Sequence, residues 1–87
     1  MDRTVTIVNK LGLHARPAMA FVDVANTFQS GIKVWKQDQC VDGKSIMQMM
    51  MLAATAGTPL KIVAEGDDAA QALDALEKLI NDKFGEE

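Results

Sequence analysis

Cysteine is almost missing from this chain. Cys40 stands alone among 87 residues, so an internal disulfide is excluded and a thiolate metal site would lack its other ligands. A lone thiol fits a reducing cytoplasm, and the sequence gives Cys40 no role. Histidine is equally scarce: His14 has no second imidazole to join, so no metal is expected. No apolar run approaches the roughly 18 residues of a membrane-spanning helix. The longest candidate, Ile46 to Ala54, is interrupted by Gln48, so membrane insertion is not expected. Met1-Asp2-Arg3-Thr4 is no basic region followed by an apolar stretch, so a secretory signal is not expected either. Positive charge is not in excess, and a net charge of −3 argues against nucleic acid as a partner. Repeats, linkers and low-complexity stretches are lacking too, which leaves one domain spanning residues 1–87.

What is present is enough for one small core, since 48% of the residues are apolar. Thr4 to Val8 reads as a strand with Val5 and Ile7 on one face. Pro17 suits a first helical turn, and Phe21, Val22, Ala25 and Phe28 continue at helical spacing until Ser30-Gly31. Ile32 to Lys36 alternates, with Ile32 and Val34 inward and Trp35 outward. Cys40-Val41 forms a short second strand of that pair. Ser45 offers an N-cap hydroxyl to a helix from Ile46 to about Ala54. After Gly57-Thr58-Pro59, Leu60, Ile62 and Ala64 form the inward face of a fourth strand. Asp68 and Gln71 have the spacing of a capping box at the start of a last helix, whose buried stripe is Leu73, Leu76, Ile80 and Phe84. The order β-α-β-β-α-β-α predicts an α+β fold of two layers, helices on one sheet face. Charge is uneven along it. Residues 1–60 carry six cations against four anions, or +2, and residues 61–87 three against eight, or −5. The basic bias surrounds His14 and suits acidic protein partners.

Chemistry concentrates in Gly12-Leu13-His14-Ala15-Arg16-Pro17. The first N–H groups of a helix point outward and carry part of the dipole's positive charge, so a phosphoryl group on an imidazole at the helix mouth could sit over them. The guanidinium of Arg16 has a fork geometry that matches phosphate oxygens. Imidazole, with a reference pKa of roughly 6.5, is largely neutral and nucleophilic at cellular pH. From spacing alone, a surface or capping histidine fits the same stretch as well as a phosphoryl acceptor. Gly43-Lys44-Ser45 is no nucleotide-binding P-loop, because the Gly required five residues before Gly43 is Asp38. Met47, Met49, Met50 and Met51 crowd a short helix with too few polar residues to be one-sided. Part of that apolar surface is therefore expected to face solvent, as adaptable methionines do on partner-binding surfaces.

Asn9-Lys10-Leu11-Gly12-Leu13-His14-Ala15-Arg16-Pro17-Ala18 resembles the active-site signature of the HPr family, phosphocarriers of the bacterial phosphoenolpyruvate-dependent sugar phosphotransferase system (PTS). Gly43-Lys44-Ser45-Ile46-Met47 resembles that family's regulatory serine motif, and the separation of the two motifs also matches. The resemblance covers essentially the whole chain. It implies an open-faced β-sandwich: a four-stranded antiparallel sheet of order 1-4-2-3 with three helices on one face. It implies that enzyme I phosphorylates Nδ1 of His14 and that the group passes to enzyme IIA proteins or domains. Arg16 matches the phosphate-neutralising arginine, and the backbone amides of Ala15 and Arg16 match the anion hole. Ser45 matches the serine phosphorylated by HPr kinase/phosphorylase with ATP. Docking is expected on Ile46, Met47, Met50 and Lys44. The protein is then a monomeric carrier without cofactor, not a stand-alone catalyst. Two other readings stay open: a module that is mainly regulatory through Ser45, and a nitrogen-related PTS paralogue, which the Ser45 motif disfavours.

Overall fold

The structure, a computed structural model, describes residues 1–85, so the last two residues of the expected domain lie outside the described residues. Seven main elements follow in the order β1 (Asp2–Thr6), α1 (Ala15–Ala25), β2 (Gly31–Lys36), β3 (Gln39–Asp42), α2 (Ile46–Met51), β4 (Pro59–Glu65) and α3 (Ala69–Asn81). The strands form one sheet of order β1-β4-β2-β3. All three pairings are antiparallel, with Val5 opposite Leu60, Val34 opposite Ile62, and Val34 also opposite Val41. This is the expected 1-4-2-3 sheet with its three helices.

Alternation decides which face the helices cover. Ile32, Val34, Val41, Leu60, Ile62 and Ala64 are buried, while Lys33, Trp35, Cys40 and Lys61 between them are exposed. The buried set meets Phe21 and Val22 of α1 and Leu73, Leu76 and Ile80 of α3 in one core. Gly43 is required here for packing: a Cβ would lie 2.5 Å from Cγ2 of Ile32. Arg3 of β1 bridges to Asp74 at 2.5 Å and Glu77 at 3.0 Å on α3, tying an edge strand to the helical layer.

Several boundaries differ from the sequence reading, each for a physical reason. The first strand ends at Thr6 rather than Val8, because Thr6 pairs with Pro59, which opens β4 and has no N–H to donate. Ile7 stays in the core, with its N–H on Thr58 O at 2.9 Å. Helix α1 ends at Ala25, so Phe28 lies in the following turn, half-buried. Helix α2 stops at Met51 instead of near Ala54, because Ala53 turns to φ 50° and breaks the helical path. The end of α2 is satisfied from β2 and β3: Nζ of Lys36 donates to Leu52 O at 2.8 Å, and Nε2 of Gln39 to Met51 O at 3.2 Å. Phe84 is not part of α3. It sits in a short 3-10 turn, Lys83–Gly85, with positive φ at Lys83 and Phe84, and still reaches the core.

The expected capping box of Asp68 and Gln71 is absent. Asp68 is the N-cap of α3 but makes no side-chain cap bond. Its carboxylate accepts from Gln29 N at 2.9 Å, Ser30 N at 3.0 Å and the Ser30 hydroxyl, pinning α3 to the start of β2. These donors, the Ser30 hydroxyl first and the Gln29 N–H next, hold the Asp68 carboxyl below the usual carboxylate range.

Candidate functional site at the mouth of α1

The loop before α1 is built from backbone hydrogen bonds. Asn9 and Gly12 close a turn: Gly12 N donates to Asn9 O at 3.1 Å, and Nδ2 of Asn9 donates to Gly12 O at 2.7 Å. Gly12 has φ 73°, and a Cβ there would lie 2.5 Å from Ala54 O, so only glycine fits. Leu13 N donates to that same Ala54 O at 2.8 Å. The loop that carries His14 therefore rests on the segment that leaves α2.

His14 is the N-cap of α1, in extended conformation, and its side chain does not cap the helix. That observation removes the capping alternative. The ring is half-buried, Ala15 and Arg16 are exposed, and Pro17 and Ala18 root the first turn in the core. Among the four leading positions, Ala18 N bonds to His14 O at 3.0 Å and Pro17 has no N–H. No hydrogen bond joins the Ala15 or Arg16 N–H to another described residue, and both lie at the positive end of an eleven-residue helix. Arg16 makes no ion pair with any described residue, so its guanidinium is available to an anion at this end. His14, Ala15 and Arg16 thus share one surface.

Ser45 sits at the start of α2, half-buried, and its Oγ accepts from Gln48 N at 3.3 Å. It is the helix cap the sequence predicted. The four methionines separate by face. Met49 is buried at 0% exposure, whereas Met47 is 79%, Met51 65% and Met50 45% exposed, beside Ile46 at 39%. Lys44 differs from a freely projecting docking residue: its Nζ donates to Phe28 O at 2.8 Å, which holds its charge over the turn after α1. Trp35 faces out from the uncovered sheet side, as the alternation predicted. A shallow pocket of about 220 Å³ lies there, lined by Thr4, Trp35, Gln37, Pro59, Leu60 and Lys61, and none of the candidate residues reaches it.

Sequence reasoning missed Asn9, Ala54, Lys36 and Gln39. Asn9 alone had a local signal, since Asn at the first position and Gly at the fourth is a common turn pairing. Among the described residues no group of three or more His, Cys, Asp or Glu could hold a metal, and no helix is long and apolar enough to cross a membrane.

Residues 1–82 match the family described as the PTS HPr component phosphorylation site. The phosphocarrier protein HPr of Pseudomonas aeruginosa is 52% identical over 83 residues, covering 94% of this chain and 92% of that protein. The crystal structure of HPr-C-His from Thermoanaerobacter tengcongensis is similar with a TM-score of 0.95 at 49% identity, covering 100% of this chain and 98% of that one. A crystal structure of an HPr dimer from the same organism is similar at 0.80, with 50% identity and 94% of each chain covered. The antiparallel 1-4-2-3 sheet, the histidine ahead of α1 and these matches along nearly the whole length lead to one conclusion: the chain belongs to the HPr family of PTS phosphocarriers.

Proposed function

We propose that His14 is the phosphoryl acceptor, charged on Nδ1 by enzyme I and discharged to enzyme IIA proteins or domains. The observation that carries this reading is the combination at the mouth of α1: an N-cap imidazole that does not cap, with two open N–H groups beside it. In the step, Nδ1 attacks phosphorus, a P–N bond forms, and the bond from phosphorus to the donor breaks. The three phosphoryl oxygens then face the Ala15 and Arg16 amides and the Arg16 guanidinium, which offset their charge through charge-assisted hydrogen bonds. The protein acts as a carrier rather than a stand-alone catalyst: it stores the group and passes it on.

Docking falls to the apolar face of α2, Ile46, Met47 and Met50, with the Lys44 charge at its margin. Ser45 is the regulatory residue, phosphorylated by HPr kinase/phosphorylase. A phosphoryl group there adds up to about −2 charge at a helix N-terminus, where the fold tolerates it. Its effect then falls on an acidic partner approaching the same face. The regulatory reading of the whole protein rests on this placement and runs alongside the carrier role. The protein works in the cytoplasm, as a monomer, with no nucleic acid partner.

Incubation with enzyme I and labelled phosphoenolpyruvate tests the proposal. Label that is acid-labile and alkali-stable, and lost in His14→Ala, is expected. Full labelling of His14→Ala would place the site elsewhere.

A further inference from the structure

The geometry points to Asn9 as the positioning residue that aims His14, an inference that rests on His14 being the acceptor. Asn9 is 0% exposed, on a loop whose neighbours Val8 and Lys10 are exposed. A carboxamide is buried at a cost unless it is hydrogen-bonded. Here the side-chain Nδ2 donates to Gly12 O at 2.7 Å, while the main-chain carbonyl of Asn9 accepts from Gly12 N at 3.1 Å. Both peptide groups of Gly12 are therefore bound to one residue.

The peptide between Gly12 and Leu13 is held at its other end as well, because Leu13 N donates to Ala54 O at 2.8 Å. A planar peptide fixed at both its oxygen and its nitrogen cannot swing about its axis. The chain then enters His14 from a buried Leu13, and leaves it through a carbonyl bonded to Ala18 N at 3.0 Å. The backbone on both sides of the imidazole is thus set, and the ring is offered to the Ala15 and Arg16 amides from a fixed base. Asn is the residue this requires. Ser is too short to span the turn to Gly12 O, and an ionised Asp presents an acceptor to an acceptor. Because Asn9 is buried, a docking protein cannot touch it. Its loss must show in the transfer step and not in partner affinity. Misplacement of a reacting group by about 1 Å costs up to ~100-fold in rate.

The test uses the full chain as substrate for enzyme I with labelled phosphoenolpyruvate, comparing wild type, Asn9→Ala and the near-isosteric Asn9→Asp. Thermal unfolding of each variant establishes that it is folded at the assay temperature. The expected result is a maximal rate roughly 10- to 100-fold lower in both variants, with KM for the chain within about twofold of wild type. Amide exchange on the wild-type protein needs no variant: Gly12 and Leu13 are expected to exchange far more slowly than Ala15 and Arg16. An undiminished maximal rate in a folded variant, a loss confined to KM, or rapid exchange at Gly12 and Leu13 would each overturn the assignment. His14→Ala run in parallel separates the two claims. Label persisting in that variant sinks the acceptor reading, whereas label lost there with full rate in the Asn9 variants sinks only the positioning role.

Discussion

Helices α1 and α2 both start from an extended N-cap residue, His14 at φ −92°, ψ −167° and Ser45 at φ −115°, ψ 118°. At α2 the Ser45 hydroxyl accepts from Gln48 N, and the first turn satisfies one of its own donors. At α1 the His14 side chain makes no such bond, and Pro17 in the third position removes a donor that would otherwise compete. Two amides stay open beside the ring. One start is closed on itself by its own cap. The other has no cap from its own N-cap side chain. The start of α3 takes a third course, because its N-cap Asp68 turns away to fasten residues 29 and 30. The N-cap position thus differs among the three helices according to where one side chain points.

That contrast can be broken most severely at His14: His14→Ala should abolish acid-labile labelling while the fold survives, as circular dichroism would check. Arg16→Ala should slow transfer roughly 10- to 100-fold, since one charge-assisted contact to the phosphoryl oxygens is lost. Single-turnover phosphorylation measures it. At the other helix, Ser45→Asp should slow phosphorylation by enzyme I several-fold and leave the Tm near wild type, because the carboxylate still suits a helix N-terminus. A rate unaffected by Ser45→Asp would remove the regulatory role. Ser45→Ala has the reverse profile: transfer is retained, and stability falls by about 1 kcal/mol through the lost cap, a Tm decrease of roughly 4–8 °C for a domain of this size.

The smallest effect concerns Asp68. Its carboxyl is held below the ordinary range in the folded protein, so the unfolded chain binds a proton more readily as pH falls. The Asp68 contribution to stability is present above the unfolded pKa and is lost as pH drops through the folded one. Acid unfolding of Asp68→Asn should therefore show a weaker dependence on pH below about 4 than wild type. Equal slopes would mean that the Ser30 and Gln29 bonds do not persist in solution.

Much of this is legible in the sequence. Periodicity placed β2, β4 and α3, because alternation at Ile32 and Val34 and the 3.6 spacing of Leu73, Leu76 and Ile80 are dictated by burial on one face; β3 and α2 rested on turn residues and the Ser45 cap. Strand order is another matter. Nothing in the local pattern says that β4 runs between β1 and β2, and that order followed from family resemblance. His14, Ala15 and Arg16 were legible because they are contiguous. The support of Leu13 by Ala54 was not, since the two are 41 residues apart in the chain and meet through a single hydrogen bond. Asp68 misled for a related reason: a carboxylate three residues ahead of Gln71 looks the same whether it caps its own helix or binds Ser30, 38 residues away. Ala53 is a good helix former by propensity, yet it takes a left-handed conformation at φ 50°, just before Ala54, whose O accepts from Leu13 N.

The central claim concerns two main-chain amides, and proton–nitrogen correlation spectra taken before and after phosphorylation by enzyme I address it directly. The Ala15 and Arg16 N–H resonances should make the largest shifts in the molecule and return when acid removes the phosphoryl group. Phosphorylated protein in which those two resonances stay in place, while another region moves, would contradict it.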